Sequence, residues 1–350
     1  MMMYNMDVKN ISRYRSELMG CAMLWIILFH LPQIPLVENN TIVLWISKGA
    51  RIFQWIGFYG VDIFLFLSGY GLVYSLEQNN LWEYYKKRML RIFPGLIIIS
   101  LLYCLIVLKP STIIDFCGKM LVTASTLGFW FNSYSFNWYV SAIVLFYVLA
   151  PAINKLTKKY DFLIVLSLEV LAIVIAIICY KFGLSYLIGT VIRIPVFGVG
   201  ILFGRYCLNN EKTKCTNKLS ILLIIILWFV SGGVALLLEF GWLNNYKIVC
   251  AGLNCMPLVI FAPTSVLLCV IFADTVDLKR NRLLDGLLAC VGKYTYELYL
   301  LHICVLLCMD KMNVSNMEKV IVCMVICLLC CRPLYVIEHK IMKKVLGKYE

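Results

Sequence analysis

Four ionisable side chains lie inside long apolar runs of this sequence, where an unpaired charge is costly. They are His30, Asp62, Arg193 and His302, each on a different run. Counted at about 1.5 Å per helical residue from the ends of their runs, the four fall at similar depth, in the middle to outer part of a membrane. A polar cavity reached from the outer side would explain this arrangement. Ion pairs that hold helices together, for instance Asp62 with Arg193, would explain it as well.

The composition requires that membrane helices position these residues. Of the 350 residues, 62% are hydrophobic and only 15% are charged, and the mean hydropathy is +0.86. A soluble domain is about half apolar and a quarter charged, so a soluble enzyme, a disordered chain and a nucleic-acid binder are excluded. The sequence predicts an all-α, polytopic transmembrane helix bundle that contacts membrane lipid. We expect residues 1–350 to form a single membrane domain with no appended soluble domain.

Ten apolar runs approach the length of roughly 20 residues that crosses a bilayer. They cover residues 18–36, 52–76, 94–108, 139–154, 161–180, 186–204, 219–238, 248–273, 285–308 and 320–338. An eleventh segment, 111–136, is diluted by polar residues and contains Asp115 and Lys119. Hydropathy alone does not decide whether this segment is a span.

The basic residues decide the topology. The net charge is +13, and with ten spans and the N-terminus inside, most Lys and Arg fall on cytoplasmic segments, as the positive-inside rule requires. If 111–136 were a span, Lys155, Lys158 and Lys159 would lie outside. We therefore expect an outer interfacial or re-entrant segment at 111–136. The sequence thus predicts a multi-pass protein of the cell membrane with both termini in the cytoplasm.

The small residues in these runs have structural explanations. Most of the 16 Cys lie in apolar stretches, where Cys behaves as a small buried hydrophobic residue. Their spacing matches no metal-ligand or disulfide framework, so we expect no metal and no structural disulfide. Gly60, Gly69 and Gly200 are predicted to allow close approach of helices.

Six motifs, in order, resemble those of the acyltransferase family 3 membrane proteins. They lie at residues 17–30, 60–69, 85–94, 138–151, 193–200 and 292–302, and GVDIFLFLSG at 60–69 is the most specific of them. The resemblance covers roughly residues 13–305 and implies a ten-helix core. It also implies transfer of an acyl group, often acetyl, from cytoplasmic acyl-CoA to a hydroxyl outside. The acceptor in this family is commonly a sugar of a cell-surface polysaccharide.

The resemblance gives the four membrane residues roles in acyl transfer. His30 would take the proton of the acceptor hydroxyl, or would carry the acyl group transiently. Arg193 would stabilise the developing oxyanion or hold substrate. Asp62 would orient a histidine or pair with Arg193, and His302 would act on the acceptor side or support another residue.

The basic motif at the predicted cytoplasmic mouth would bind the donor. Lys87, Arg88 and Arg91 are suited to the phosphates of acyl-CoA, which is a substrate, so no tightly bound cofactor is expected. The same residues would equally serve as topology anchors. A glycan or another hydroxyl-bearing molecule is the expected acceptor. The sequence gives no indication of the oligomeric state.

Two positions depart from the pattern of many family members. Met19 stands where an Arg is common, with Arg15 one turn further toward the cytoplasm, and Ile143 stands where a Glu is common. These departures leave the donor and the acceptor open, and succinyl is an alternative to acetyl. A transporter or flippase that uses the same polar cavity, and a non-enzymatic membrane partner or sensor, remain as alternatives to an enzyme.

Overall fold

The first half of the chain consists of helices joined by short connections. The computed structural model describes residues 6–36, 41–132, 136–209, 214–215, 218–240, 251–312 and 314–347. The helices are α1 (Asn10–Arg13), α2 (Arg15–His30), α3 (Thr41–Trp55), α4 (Gly60–Gln78), α5 (Leu81–Tyr103), α6 (Ile113–Ala124), α7 (Leu127–Trp130) and α8 (Trp138–Tyr160). A 3-10 turn, Ile56–Tyr59, joins α3 to α4, and α5 continues into a π-helical turn, Cys104–Leu108.

The second half continues in the same way. Its helices are α9 (Phe162–Lys181), α10 (Ser185–Val191), α11 (Ile194–Asn209), α12 (Lys218–Phe240), α13 (Leu258–Thr275), α14 (Arg282–Lys293), α15 (Thr295–Asp310) and α16 (Asn316–Leu346). Short 3-10 turns lie at Leu253–Cys255 and Leu278–Arg280. One two-residue antiparallel pairing joins β1 (Met6–Asp7) to β2 (Lys214–Cys215). The all-α class predicted from the sequence is confirmed.

Eight helical stretches within the described residues are long and apolar enough to cross a membrane. They are Thr41–Gln78, Leu81–Leu108, Trp138–Tyr160, Phe162–Lys181, Ser185–Asn209, Leu219–Phe240, Leu253–Thr275 and Asn316–Leu346. Each coincides with one of the predicted apolar runs. The protein is therefore a polytopic membrane protein.

The two other predicted runs, 18–36 and 285–308, do not each form one continuous helix of that length. In the run at 18–36, α2 ends at His30 because Pro32 and Pro35 follow. Proline fixes its own backbone and disfavours the helical conformation for the residue before it. The run at 285–308 is interrupted at Tyr294 and divides into α14 and α15. Hydropathy averaged over the run did not reveal this break, because a one-residue turn interrupts the helix without changing the composition of the run.

The segment at 111–136 contains only short helices. α6 has 12 residues and α7 has 4, so neither spans a bilayer, in agreement with the expectation that this segment is not a crossing. Its position on the outer side stays a prediction, and residues 133–135 lie outside the described residues. Lys212 and Lys247, which contribute to the predicted charge distribution, also lie outside the described residues.

The chain divides into two compact units whose segments alternate along the sequence. Unit 1 comprises residues 1–22, 61–84 and 145–292, and unit 2 comprises residues 23–60, 85–144 and 293–350. The core of unit 1 includes Tyr14, Phe66, Tyr70, Val196 and Val266. In unit 2, α15 and α16 pack along each other. The expectation of a single membrane domain over residues 1–350 stays a prediction.

Candidate functional site

Gln54 fixes the end of α2 in unit 2, and with it the position of His30. The last carbonyl groups of a helix have no partner within the helix. Nε2 of the buried Gln54 lies 3.0 Å from three carbonyl oxygens, that of Leu28 in α2 and those of Leu31 and Pro32 just after it, and its two hydrogens are shared among them. Its Oε1 accepts from the backbone N–H of Ile34 at 2.8 Å. One side chain therefore caps α2 and holds the turn that follows His30.

Aromatic packing holds the same part of α2 from the side. The indole N–H of Trp25 donates to the carbonyl oxygen of Phe53 at 2.8 Å, and the two rings stack with centroids 5.2 Å apart. Gly57 lies so close to the carbonyl of Trp25 that a Cβ at this position would overlap it. The α3 helix and its 3-10 turn thus form a support for the C-terminal half of α2.

His30 and His302 are in contact within unit 2. Their ring centroids are 5.1 Å apart, and the rings meet at 68°. Nδ1 of His30 lies 2.9 Å from the carbonyl oxygen of Ile26, and Nδ1 of His302 lies 2.8 Å from that of Leu298. Because a carbonyl oxygen only accepts, each Nδ1 is the donor. In the neutral ring, Nε2 then carries the lone pair, so both histidines present Nε2 as a proton acceptor.

His302 is enclosed by aromatic side chains. Its exposure is 0%, its ring lies 5.6 Å from that of Tyr299, and Tyr139 packs against Tyr299 at 5.2 Å. Within the described part of the chain, Nε2 of His302 has no hydrogen-bond partner. A buried polar atom without a partner is costly and calls for an explanation, such as a ligand or a transferred proton. Two histidines, one partly buried and one fully buried, can therefore perform base chemistry here.

Asp62 and Arg193 form a buried ion pair in unit 1. Asp62 Oδ1 lies 3.3 Å from Arg193 Nε, and the two residues are 0% and 6% exposed. Arg193 lies where the chain passes from α10 to α11, and its Nη1 donates to the carbonyl oxygen of Gly189 at 2.7 Å. The pair suggested by the sequence is present. The catalytic roles assigned to these two residues stay predictions.

Glycines bring the backbones of α4 and α11 together beside this ion pair. A Cβ at Gly69 would overlap the carbonyl oxygen of Phe197, and a Cβ at Gly200 would overlap that of Phe66. The close approach predicted for Gly69 and Gly200 is confirmed, whereas that for Gly60 stays a prediction. This contact fixes α4 against α11 in unit 1. Asp62 lies in the first turn of α4, and Arg193 directly precedes α11.

The basic motif of α5 contains one residue with a defined acidic partner. Lys87, Arg88 and Arg91 are partly buried and lie within about one helical turn of one another, on one face of α5. Arg91 Nη2 is 3.3 Å from Glu297 Oε1 on α15. Its guanidinium also lies over the ring of Tyr335, 5.5 Å from the centroid. Donor binding by these three basic residues stays a prediction.

Sequence reasoning missed three residues that shape these sites. Gln54 gave no signal, because a capping glutamine looks like any polar residue at the edge of an apolar run. Glu297 lies inside the motif at 292–302, and Glu338 is the last residue of the run at 320–338. Both carboxyls are buried, at 0% and 2% exposure, and the rule that an ionisable residue in a span needs a partner would have found them.

The two departures from the family pattern occupy packed positions. Met19 packs against the core of unit 1, and Ile143 is buried. Arg15, the nearest upstream arginine, lies in unit 1 with Nη2 3.5 Å from the carbonyl oxygen of Leu67. An apolar side chain at 19 or 143 is therefore compatible with the packing of this chain.

Comparisons with known proteins agree with the motifs. A family model described as an acyltransferase domain matches residues 18–336, nearly the whole chain. Searches of curated proteins and of solved structures return no match. The family match includes the positions of His30, Asp62, Arg193 and His302. The chain belongs to acyltransferase family 3 and is a membrane acyltransferase that acts on hydroxyl-bearing substrates.

Proposed function

We propose that this protein transfers an acyl group, most simply acetyl, from cytoplasmic acyl-CoA to a hydroxyl of a cell-surface polysaccharide or a similar glycan outside the cell membrane. The observation that carries the proposal is the contact between His30 and His302, each with Nδ1 bonded to its own helix and Nε2 left as a proton acceptor. Transfer to a hydroxyl needs such a base at neutral pH. Family membership supplies the reaction class.

The reaction would proceed with His30 as the base. Nε2 of His30 takes the proton from the acceptor hydroxyl as the oxygen attacks the thioester carbonyl carbon. A C–O bond forms, the C–S bond breaks, and its electron pair leaves on the sulfur of CoA. The proton on His30 then passes to the departing thiolate or to water, which restores the neutral ring. His302, in ring contact with His30, is the second acceptor for that proton.

The donor would enter from the face that carries the basic motif of α5. Lys87, Arg88 and Arg91 lie together on one face of that helix, and phosphates bind to such clusters through charge-assisted hydrogen bonds. This assignment also supports the proposed topology, because the same residues belong on the cytoplasmic side by the positive-inside rule. Both termini then lie in the cytoplasm.

The test is a count of labile esters on surface glycans. A strain that lacks the gene is complemented with wild type or with His30→Ala, at equal protein levels in the membrane. Mass spectrometry before and after mild alkali counts the ester-linked acyl groups and identifies them by mass. The proposal expects wild type to restore esters that His30→Ala does not restore. Esters that persist without the gene would contradict the glycan assignment, and a mass shift of succinyl instead of acetyl would correct the donor.

A further inference from the structure

Unit 2 contains a pair of buried carboxyls that the transfer step does not use. Glu297 on α15 and Glu338 on α16 are 0% and 2% exposed. Both carboxyls approach α5: Glu297 Oε1 lies 3.3 Å from Arg91 Nη2, and Glu338 Oε1 occupies the space beside Gly95. Among the described residues, no donor with standard hydrogen-bond geometry reaches any of their four oxygens. Two buried negative charges beside the one guanidinium of Arg91 would leave one charge unbalanced, and a proton neutralises such a buried carboxylate. We therefore assign the pair one proton and one negative charge.

Arg91 supplies the balancing positive charge. Its Nη2 lies 3.3 Å from Glu297 Oε1, and a third of its side chain is exposed, at 33%. The carboxyl pair and the guanidinium are neutral together, which lowers the cost of burying them. Because the Arg91 side chain is only partly buried, a second anion can approach it from solvent.

The backbone of α5 is shaped to receive this pair. A Cβ at Gly95 would overlap Oε1 of Glu338, so the absence of a side chain there makes room for the carboxyl. Gly95 follows Arg91 by one helical turn and therefore lies on the same face of α5. The hydroxyl of Tyr296 donates to the carbonyl oxygen of Ile92 at 2.5 Å and ties α15 to α5 next to Glu297. Three helices thus converge on the two carboxyls.

We propose that Glu297 and Glu338 are positioning residues that hold Arg91 ready for the phosphates of the donor and bind a second proton when the donor takes Arg91. This inference rests on the proposed function for the identity of the donor. A phosphate competes with Glu297 for the guanidinium, because both are anionic acceptors for the same N–H groups. The carboxyl pair is then a buried charge without a cation, which is costly unless it is neutralised. One proton enters from solvent as the donor binds and leaves with the product CoA, and no covalent bond changes in this exchange.

Few side chains near Glu297 and Glu338 could make donor binding depend on pH near neutrality. The charged and titratable groups around it are Arg91 on α5, Tyr296 on α15, and Tyr335 and His339 on α16, with Lys293 over the ring of Tyr335 at 5.1 Å. Arginine, lysine and tyrosine do not ordinarily titrate near pH 7, whereas histidine does. His339 stacks on Tyr335 with centroids 5.4 Å apart, so it is the one neighbour whose contribution must be separated.

Calorimetry of donor binding tests this exchange without knowledge of the acceptor. Acetyl-CoA is titrated into the purified full-length protein at pH 7 in two buffers of different ionisation enthalpy, and the difference in heat gives the protons bound. Wild type should take up close to one proton per acetyl-CoA. Its Kd should then weaken by up to about tenfold between pH 7 and pH 8, as linkage of one proton requires. Ionisation of the donor's own phosphate would change the affinity in the opposite direction.

Matched variants assign the proton. The double variant Glu297→Gln, Glu338→Gln leaves no carboxyl to be protonated, so it should bind acetyl-CoA with no proton uptake and with a Kd that varies less than about twofold over the same range. Glu169→Gln, which removes a partly buried carboxyl on α9, and His339→Gln should both behave as wild type. Absence of uptake by wild type would overturn the inference even if the double variant fails to fold, and so would loss of uptake in His339→Gln alone. If wild type does not bind acetyl-CoA at all, the proposed function itself is contradicted.

Discussion

Gly200 on α11 touches the backbone of Phe66 on α4 so closely that a methyl group at Gly200 would overlap the Phe66 carbonyl oxygen. The carbonyl belongs to a helix backbone and cannot move aside as a flexible side chain would. In unit 1 this contact sets the spacing of the two helices whose ends bear Asp62 and Arg193. The family motifs at 60–69 and 193–200 are thus explained first by packing.

Gly200→Ala should therefore destabilise the protein. Overpacking in a close contact costs about 1–3 kcal/mol, and the displacement of α11 should loosen the ion pair of Asp62 with Arg193. Gly233→Ala on α12 is the control, since a Cβ there meets nothing within 4 Å. Thermal unfolding of both proteins in the same detergent measures the difference. Equal melting temperatures for the two variants would show that α4 and α11 are not in backbone contact.

The buried ion pair should give a characteristic double-mutant cycle. Asp62→Leu or Arg193→Met alone leaves a buried charge without its partner and should cost about 3–5 kcal/mol. The double variant Asp62→Leu, Arg193→Met removes both charges and should be more stable than either single variant. Thermal unfolding measures stability, and acyl transfer by the double variant separates the two roles. Activity retained by a stable double variant would limit the pair to structure, whereas additive losses of stability would contradict the pairing.

Gln54 should control activity through the end of α2. Gln54→Glu keeps the size of the side chain but removes the Nε2 donor, so the carbonyl oxygens of Leu28, Leu31 and Pro32 lose this contact and face a carboxylate instead. We expect at least about tenfold slower transfer, because loss of roughly one hydrogen bond's free energy at the site corresponds to this factor. Gln33→Glu, an exposed neighbour in the same turn, is the control. Equal activity of the two variants would contradict a role for Gln54 in positioning His30.

A polar network at the start of α2 should stabilise unit 1 over a wide pH range. Lys279 contacts the buried Glu17 and lies 3.0 Å from Asp285. Burial alone would lower the pKa of Lys279, but its hydrogen bonds to Glu17 and Asp285 outweigh burial and raise that pKa above 10.5. The hydrogen bond from Lys279 lowers the pKa of Asp285 below 3.8. The contribution of Lys279 to stability is lost only when pH rises through the raised pKa of Lys279. The contribution of Asp285 is lost only when pH falls through the lowered pKa of Asp285.

Lys279→Met should therefore lower stability by about 1–3 kcal/mol, a value reduced from that of a fully buried pair because the lysine is partly exposed. The loss should be the same at pH 6 and at pH 9, since Lys279 and Asp285 are both charged throughout this range. Unfolding in detergent at the two pH values measures it, with Lys311→Met at an exposed position as the control. A loss that disappears at pH 6 would contradict the assignment of the network.

The long membrane helices were predictable because contact with lipid requires an apolar amino-acid composition. Helices that face lipid must be apolar for about 20 residues, so eight of the predicted runs coincide with long helices. The ends of the helices were less predictable. Composition does not distinguish a continuous span from α14 followed by α15, and Pro32 was a better guide to the end of α2 than the apolar run.

The candidate site was predictable only where a rare residue type was itself the signal. His30, Asp62, Arg193 and His302 could be selected because an ionisable group inside a span is unusual. Their pairing into His30 with His302 and Asp62 with Arg193 depends on helix contacts that one sequence does not give. For the same reason, Glu338 could not be connected with Glu297 before the contact between α15 and α16 was known.

Label transfer across a membrane tests the central claim most directly. Inverted membrane vesicles present the cytoplasmic face to added acetyl-CoA labelled in its acetyl group, while glycan acceptors lie inside. Wild type should place alkali-labile label on the enclosed glycans, and His30→Ala, at equal expression, should be slower by about 10²–10⁴-fold, the usual contribution of a general base. Equal labelling by His30→Ala, or label on the glycans of vesicles that lack the protein, would contradict the account.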